Sequence, residues 1–400
     1  MTSYRRPISM IEKIYLAFDR ARPPFANQVV VEGTGRIDPV ALEAASARAA
    51  EANPGAMLAF EGRLGRATWV PQVPPRVTVI RDARWDGRSE AGAIFLDRRL
   101  DRRGPSCEIQ LILAGARTFL IFRSLHAVMD GLGTLLWAQD VMRALRGEAP
   151  IGHPSAMTDV EFAAGLNDQP LSLPPPDALH PCGTADAVTS GNDFQWRRVT
   201  IDAPAEVPVV AALAVTIARA ARRHGEGPVR FNIPADLRFF HQDQRSTGNV
   251  IGTLFVDVPA GATIDDVARD LKARLKAKDH ARRPARYQAM RWIPQGAIEG
   301  AIGRGFLQEH ATGRYGMSAT VSFLGTVEPA AMTAPGFTPT ATFWIPPMAD
   351  QTCFVSVSKF AGRLQLLLAL PRVLGSRGRF DALLDELTAA LSAPAASASA

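Results

Sequence analysis

The stretch Ile121-Phe-Arg-Ser-Leu-His126-Ala-Val-Met-Asp130-Gly131-Leu-Gly133 carries the most structural information in the chain. It lies between segments of opposite periodicity. Upstream, Cys107–Ala114 (CEIQLILA) and Arg117–Arg123 (RTFLIFR) are rich in β-branched and aromatic residues. Only Gly115-Ala116 separates them, a two-residue hairpin loop with glycine first. Downstream, Leu132, Leu135, Leu136, Met142 and Leu145 recur at helical spacing until Gly147. His126 therefore falls on a turn between a strand and a helix. Such a turn can present an imidazole to a cleft, and an ordinary pKa near 6.5 suits that group to general-base work. Asp130 can cap the helix beginning at Gly131, whose first N–H groups could face a developing oxyanion.

Working outward, the N-terminal side is mixed α/β. Asn27–Glu32 (NQVVVE) fits a strand. Asp38 and Pro39 start a helix with Val40, Leu42, Ala45 and Ala49 as its apolar face, and Asn53-Pro54-Gly55 ends it. On the other side, prolines at 150, 154, 170, 174, 175, 176 and 181 mark residues 148–195 as a connector across the surface. A second α/β mixture follows. Val207–Arg223 reads as a helix, and Val229–Ile233 and Asn249–Val258 read as strands. Thr263 and Asp266 have capping-box spacing and open a helix with Ile264, Val267, Leu271 and Leu275 inward. Lys272, Arg274, Lys276 and Lys278 follow one another on its remaining surface. Ala319–Gly325, Phe354–Phe360 and Arg363–Leu370 read as strands, and Phe380–Leu391 as a final amphipathic helix. The expected division is an N-terminal lobe at 1–165, a proline-rich connector at 166–195, a C-terminal lobe at 196–391 and a disordered tail at 392–400.

Composition narrows the function classes. With 47% hydrophobic and 21% charged residues, the 400-residue chain is globular, and no apolar run approaches the ~18 residues of a membrane span. Met1-Thr-Ser-Tyr-Arg-Arg-Pro lacks the features of a secretory signal. Cys107, Cys182 and Cys353 are far apart and odd in number, which points to a reduced, cytoplasmic setting. The net charge of +6 suggests an anionic partner. Nucleic acid is disfavoured, because the basic stretch 272–291 lacks an interleaved aromatic platform. GxxxxGK(S/T), GxSxG, HExxH and CxxC patterns are absent, and Gly33-Thr-Gly35 and Gly131-Leu-Gly133 do not extend to GxGxxG.

The block from Ile121 to Gly133 resembles the HHxxxDG motif of the condensation-domain and chloramphenicol-acetyltransferase-like acyltransferase superfamily. The order of neighbouring elements agrees. The helix from Asp38 to Asn53-Pro54-Gly55 is similar to that family's early helix and its HP.L ending. Arg230-Phe-Asn-Ile-Pro-Ala-Asp236-Leu-Arg238 and Thr247-Gly-Asn249 look like its P.dlR…GN region. Ser322-Phe-Leu-Gly325 is similar to a late SN.G segment, with Phe323 in place of the asparagine. Leu125 stands where the family has its first motif histidine, and no DFGWG-like segment occurs, which argues against the plant-type branch.

The resemblance implies two chloramphenicol-acetyltransferase-like α/β lobes forming a pseudo-dimer with an interfacial tunnel. His126 matches the catalytic histidine. Asp130 matches an aspartate that pairs with an arginine to hold the loop, and Arg238 is the candidate arginine. Gly131, Ser322 and Asn249 are oxyanion or tunnel candidates. The implied chemistry moves an acyl group from a pantetheine thioester, acyl-CoA or an acyl carrier protein, to a hydroxyl or amine of a small-molecule acceptor. Ester formation in lipid or secondary-metabolite biosynthesis is the preferred form. The expectation is a monomer with no metal and no permanently bound cofactor, and with Lys272, Arg274, Lys276 and Lys278 as a carrier-docking surface. Rival expectations are dehydration or cyclisation of a carrier-bound intermediate, and a non-catalytic binding platform.

Overall fold

The computed structural model describes residues 4–62, 66–81, 84–184, 194–202, 207–348 and 353–392. The hairpin at Gly115 is its starting point. Cys107–Ala114 and Arg117–Leu125 pair antiparallel from Cys107↔Ser124 to Ala114↔Arg117. Gly115 takes φ +65° with open space where a Cβ would project, as the first position of a two-residue loop needs. These strands lie in a five-stranded sheet of spatial order Phe337–Ile345, Ala26–Gly35, Arg117–Leu125, Cys107–Ala114, Arg76–Ile80. Leu111, Leu120 and Phe122 pack with Leu42 and Ala49 of the helix Pro39–Ala52 and with Leu135 and Val141 of the helix Gly131–Leu145. Each such large side chain contributes about 1.5–3 kcal/mol when fully buried.

A six-stranded sheet of order Ile251–Asp257, Arg230–Asp236, Ala319–Val327, Cys353–Phe360, Arg363–Pro371, Phe194–Ile201 forms the second lobe. Helices Val209–Arg222, Ile264–Lys276 and Arg379–Ser392 cover its outer face through Leu213, Leu271 and Leu384. Its inner face meets the first sheet, where Trp196, Leu367 and Ala369 pack with Val30, Phe119 and Ile121. Arg6–Pro7, Thr68–Pro71 and Leu58–Glu61 make a small third sheet. Among the described residues no helix is long and apolar enough to cross a membrane.

The structure differs from the sequence reading in several places, among them the strands Leu58–Glu61, Thr68–Pro71, Arg76–Ile80 and Phe194–Ile201, which the sequence reading lacks. The strand Phe337–Ile345 does not stay in the C-terminal lobe of 196–391. It pairs with Ala26–Gly35 from Phe337↔Gly35 to Ile345↔Gln28 and closes an edge that would otherwise be open. The connector is not wholly superficial, since Ala178, Leu179, His180 and Cys182 are buried and Ala178 exchanges backbone hydrogen bonds with Tyr315 at 2.8 and 3.1 Å. It also holds a short helix, Asp159–Ala163, capped by Thr158 and Glu161. Val40 and Leu275 are exposed at 73% and 42%, because the helices turn those positions away from their sheets. Two helices, Met10–Ala21 and Gln295–Thr312, were not foreseen. Residues 393–400 of the expected tail lie outside the described residues.

Candidate active site

The strand Arg117–Leu125 delivers Leu125 to the first-lobe core and His126 to the cleft. Leu125 is 1% exposed, so the residue in the first motif position packs as a hydrophobe. The His126 amide donates to the Phe25 carbonyl at 3.0 Å, and Val128 N–H closes a turn onto Leu125 O at 2.8 Å. His126 Nδ1 lies 3.1 Å from the Met129 carbonyl, which also accepts from Asn27 Nδ2 at 2.7 Å. Asn27 Nδ2 lies equally close to Nδ1, at 3.1 Å, so a proton on Nδ1 bonds the Met129 carbonyl, whereas a bare Nδ1 accepts from Asn27. In the tautomer with Nδ1–H, Nε2 carries the ring's lone pair. Tyr15 stacks on the imidazole with ring centroids 4.0 Å apart, and Phe25 lies alongside at 5.3 Å. Burial pushes the His126 pKa down to about 4, against the raising effect of the Met129 carbonyl and the Asn249 side chain. The ring is therefore neutral at pH 7.

Asp130 supports this loop. Its Oδ1 accepts from Gly133 N–H at 2.6 Å and its Oδ2 from Val250 N–H at 3.1 Å. Both oxygens accept from Arg238 Nη2 at 3.0 Å. Arg238 also donates to Ser246 O at 2.7 Å, Gly248 O at 2.7 Å and Asp236 Oδ1 at 2.8 Å. One guanidinium thus joins the helix start in the first lobe to the 246–250 segment of the second. Asn249 adds a bond from its Nδ2 to the His126 carbonyl at 2.8 Å. Glycine is required at 133, since a Cβ there would lie 2.0 Å from Thr247 O.

His126, Gly131 and Ser322 line one cavity of about 240 Å³ between the lobes, with Arg238 and Asn249 holding the loop around it. Asn232 and Thr320 add polar groups, and Phe25 and Trp344 apolar walls. A Cβ on Gly131 would come 3.1 Å from the Trp344 indole. Among the described residues no group of three His, Cys, Asp or Glu side chains could hold a metal ion.

The basic residues suggested for docking do not make one face. Arg274 is tied to Asp270 at 2.8 Å and its neighbour Arg269 to Asp266 at 3.1 Å. Lys278 lies beyond the helix end at Lys276, with its ammonium 5.1 Å from the Phe240 ring centre. Lys272 and Lys276 remain on the helix. Four residues around the histidine were not singled out from the sequence: Tyr15, Phe18, Phe25 and Asn27. Ser9 and Glu12 form a reciprocal capping box at the start of the helix bearing Tyr15 and Phe18, and that spacing was the available signal.

No family model matches the sequence, and no curated protein matches it. Solved structures do match. A variant of the starter condensation domain of rhizomide synthetase RzmA, in complex with C8-CoA, superposes with a TM-score of 0.66 at 15% identity, covering 98% of this chain and 95% of that one. Polyketide synthase associated protein 5 from Mycobacterium tuberculosis gives 0.65 at 17% identity, covering 97% of each chain. The condensation domain of the monacolin K polyketide synthase MokA gives 0.61 at 13% identity, covering 97% and 96%. At these identities the likeness is one of fold. The chain has the condensation-domain fold, with two chloramphenicol-acetyltransferase-like lobes.

Proposed function

We propose that the protein transfers an acyl group from a pantetheine thioester to a hydroxyl or amine, with ester formation the favoured case. The observation carrying this reading is the His126 ring at a cavity between the lobes, where the tautomer with Nδ1–H on Met129 O leaves the Nε2 lone pair for an acceptor. Nε2 takes the acceptor's proton as the acceptor oxygen or nitrogen attacks the thioester carbonyl. The tetrahedral oxyanion is stabilised by the Gly131 N–H and by Ser322. The C–S bond then breaks, and the imidazolium returns its proton to the leaving thiolate. A pKa near 4 keeps the base unprotonated, and the Tyr15 face against the ring favours the imidazolium as it forms. General-base help is worth about 10²–10⁴-fold, and an oxyanion donor about 10²–10³-fold. The complexes of a similar fold with C8-CoA support a thioester donor.

The test combines thiol release with intact-mass analysis, using acyl-CoA and acyl-carrier donors with candidate alcohols and amines. The wild type should free thiol and add acyl mass to the acceptor. His126→Ala should lose at least about 100-fold in turnover while keeping its circular dichroism spectrum. A folded His126→Ala variant with full turnover removes this mechanism.

A further inference from the structure

We propose that a groove on the outer face of the C-terminal sheet binds the phosphate-bearing end of a free CoA thioester, and that Phe323 is the gate through which its pantetheine arm reaches His126. The proposal rests on the thioester-donor reading above.

The sheet is split at this point. Arg230–Asp236 and Ala319–Val327 are parallel neighbours, yet they share only the rungs Ala319↔Phe231 and Thr320↔Asn232. Beyond those rungs, Asn232 and Pro234 on one strand and Thr320 and Ser322 on the other line the His126 cavity. On its opposite edge, Ala319–Val327 shifts register against Cys353–Phe360 between Phe323 and Thr326. Irregularities of this kind re-aim side chains and are frequent beside sites. Here one falls next to Phe323, a large apolar residue left 42% exposed.

Phe323 lines the His126 cavity and also a second cavity of about 530 Å³. Val209, Val210, Leu271, Leu275 and Leu364 form apolar walls of that second groove. Its charged lining residues are Lys272 and Lys359, two of only five lysines in the chain. Among the described residues neither pairs with a carboxylate, and no Asp or Glu lines the groove. An apolar trough with two unpaired ammonium groups suits a ligand that joins a mostly apolar arm to phosphates, for which lysine serves as a point charge.

The same helix argues against an acidic carrier protein. It displays Asp265, Asp266 and Asp270, and its arginines are already engaged with the last two. A broad acidic surface would meet these carboxylates, whereas a small ligand needs only the two lysines. This narrows the donor from any phosphopantetheine thioester to a free one.

Isothermal titration with two non-hydrolysable probes tests the idea: an acyl-CoA thioether, and an acyl-pantetheine thioether without phosphates. Lys272→Glu/Lys359→Glu should weaken the CoA probe by about 10-fold or more and change the pantetheine probe by less than about 2-fold. Wild-type affinity for the CoA probe should fall as salt rises, and that slope should shrink in the double variant. Phe323→Trp should lower kcat/KM by about 5-fold or more for both CoA and pantetheine thioesters, because it narrows a passage both must use. Unchanged CoA affinity in the double variant, or an equal loss for both probes, overturns the proposal. So does a KM increase confined to a carrier-linked donor. If the wild type binds neither probe, the thioester-donor reading itself fails, a result distinct from an unaffected double variant.

Discussion

Replacing Arg238 with methionine removes one charge and unties two lobes. The Arg238 side chain is 11% exposed and that of Asp130 only 2%. The substitution leaves the Asp130 carboxylate with the Gly133 and Val250 N–H donors but without its counter-charge. It also strips a donor from the carbonyls of Ser246 and Gly248. Breaking a buried pair by deleting one partner costs about 3–5 kcal/mol. A smaller allowance for the two carbonyls, which water can reach once the guanidinium is gone, keeps the total near 4–5 kcal/mol. In the double variant Asp130→Asn/Arg238→Met the stranded charge disappears. The losses should then fall short of their sum by at least about 1.5 kcal/mol. Urea unfolding gives the global figure. Because a two-lobed chain need not unfold in one step, hydrogen exchange at the Gly133 and Val250 amides supplies the local one, and both amides should lose protection in Arg238→Met. A loss under about 1 kcal/mol with unchanged protection, or strict additivity of the two single variants, refutes the reasoning.

Gly133→Ala places a Cβ 2.0 Å from Thr247 O and should cost about 3 kcal/mol by thermal unfolding. Gly115→Ala meets open space and should cost only about 1 kcal/mol for its positive φ. His126 and His180 are held neutral by burial, with pKa values near 4 and near 3. In the unfolded chain both protonate around pH 6.5, so stability should be unaffected by them above that pH and fall by several kcal/mol between about pH 6.5 and 4. His180→Asn should flatten that slope in a pH series of thermal unfolding. The acid limb of kcat/KM should lie near pH 4, and a break at 6.5 would contradict the buried state of His126. Ser322→Ala should lower kcat by about 10–100-fold with little change in KM, as for a group engaged in the transition state.

The parts of the fold that could be read from the sequence are those with local causes. The Gly115 hairpin, the Asp38 and Thr263 caps and the His126-to-Gly131 turn each carry their signal within a few residues. The pairing of Asp130 with Arg238, 108 residues apart, has no such local signal and was expected only through a family likeness. What escaped depends on partners far away in the chain. The strand Phe337–Ile345 has alternation that fits either sheet, and only the open edge of Ala26–Gly35 decides between them. Asn27 looks like any strand residue until its register opposite Ser124 brings it to Met129 O. The helix Gln295–Thr312 carries four glycines and buries only Ile298 and Phe306, so neither propensity nor periodicity marks it. In the basic run at 272–278 a count of charges ignores the aspartate one turn away that pairs with Arg274.

The strand exchanged between the lobes has a consequence for synthesis. The first sheet awaits its last strand until residue 345 has been made, so the Ala26–Gly35 edge must stay unpaired while most of the chain emerges from the ribosome. Trp344, a wall of the His126 cavity, arrives on that same strand. Neither half can assemble the site by itself, and two fragments cut at the connector should recover it only by recombining. The lobes look like a duplicated pair, but as folding units they are one.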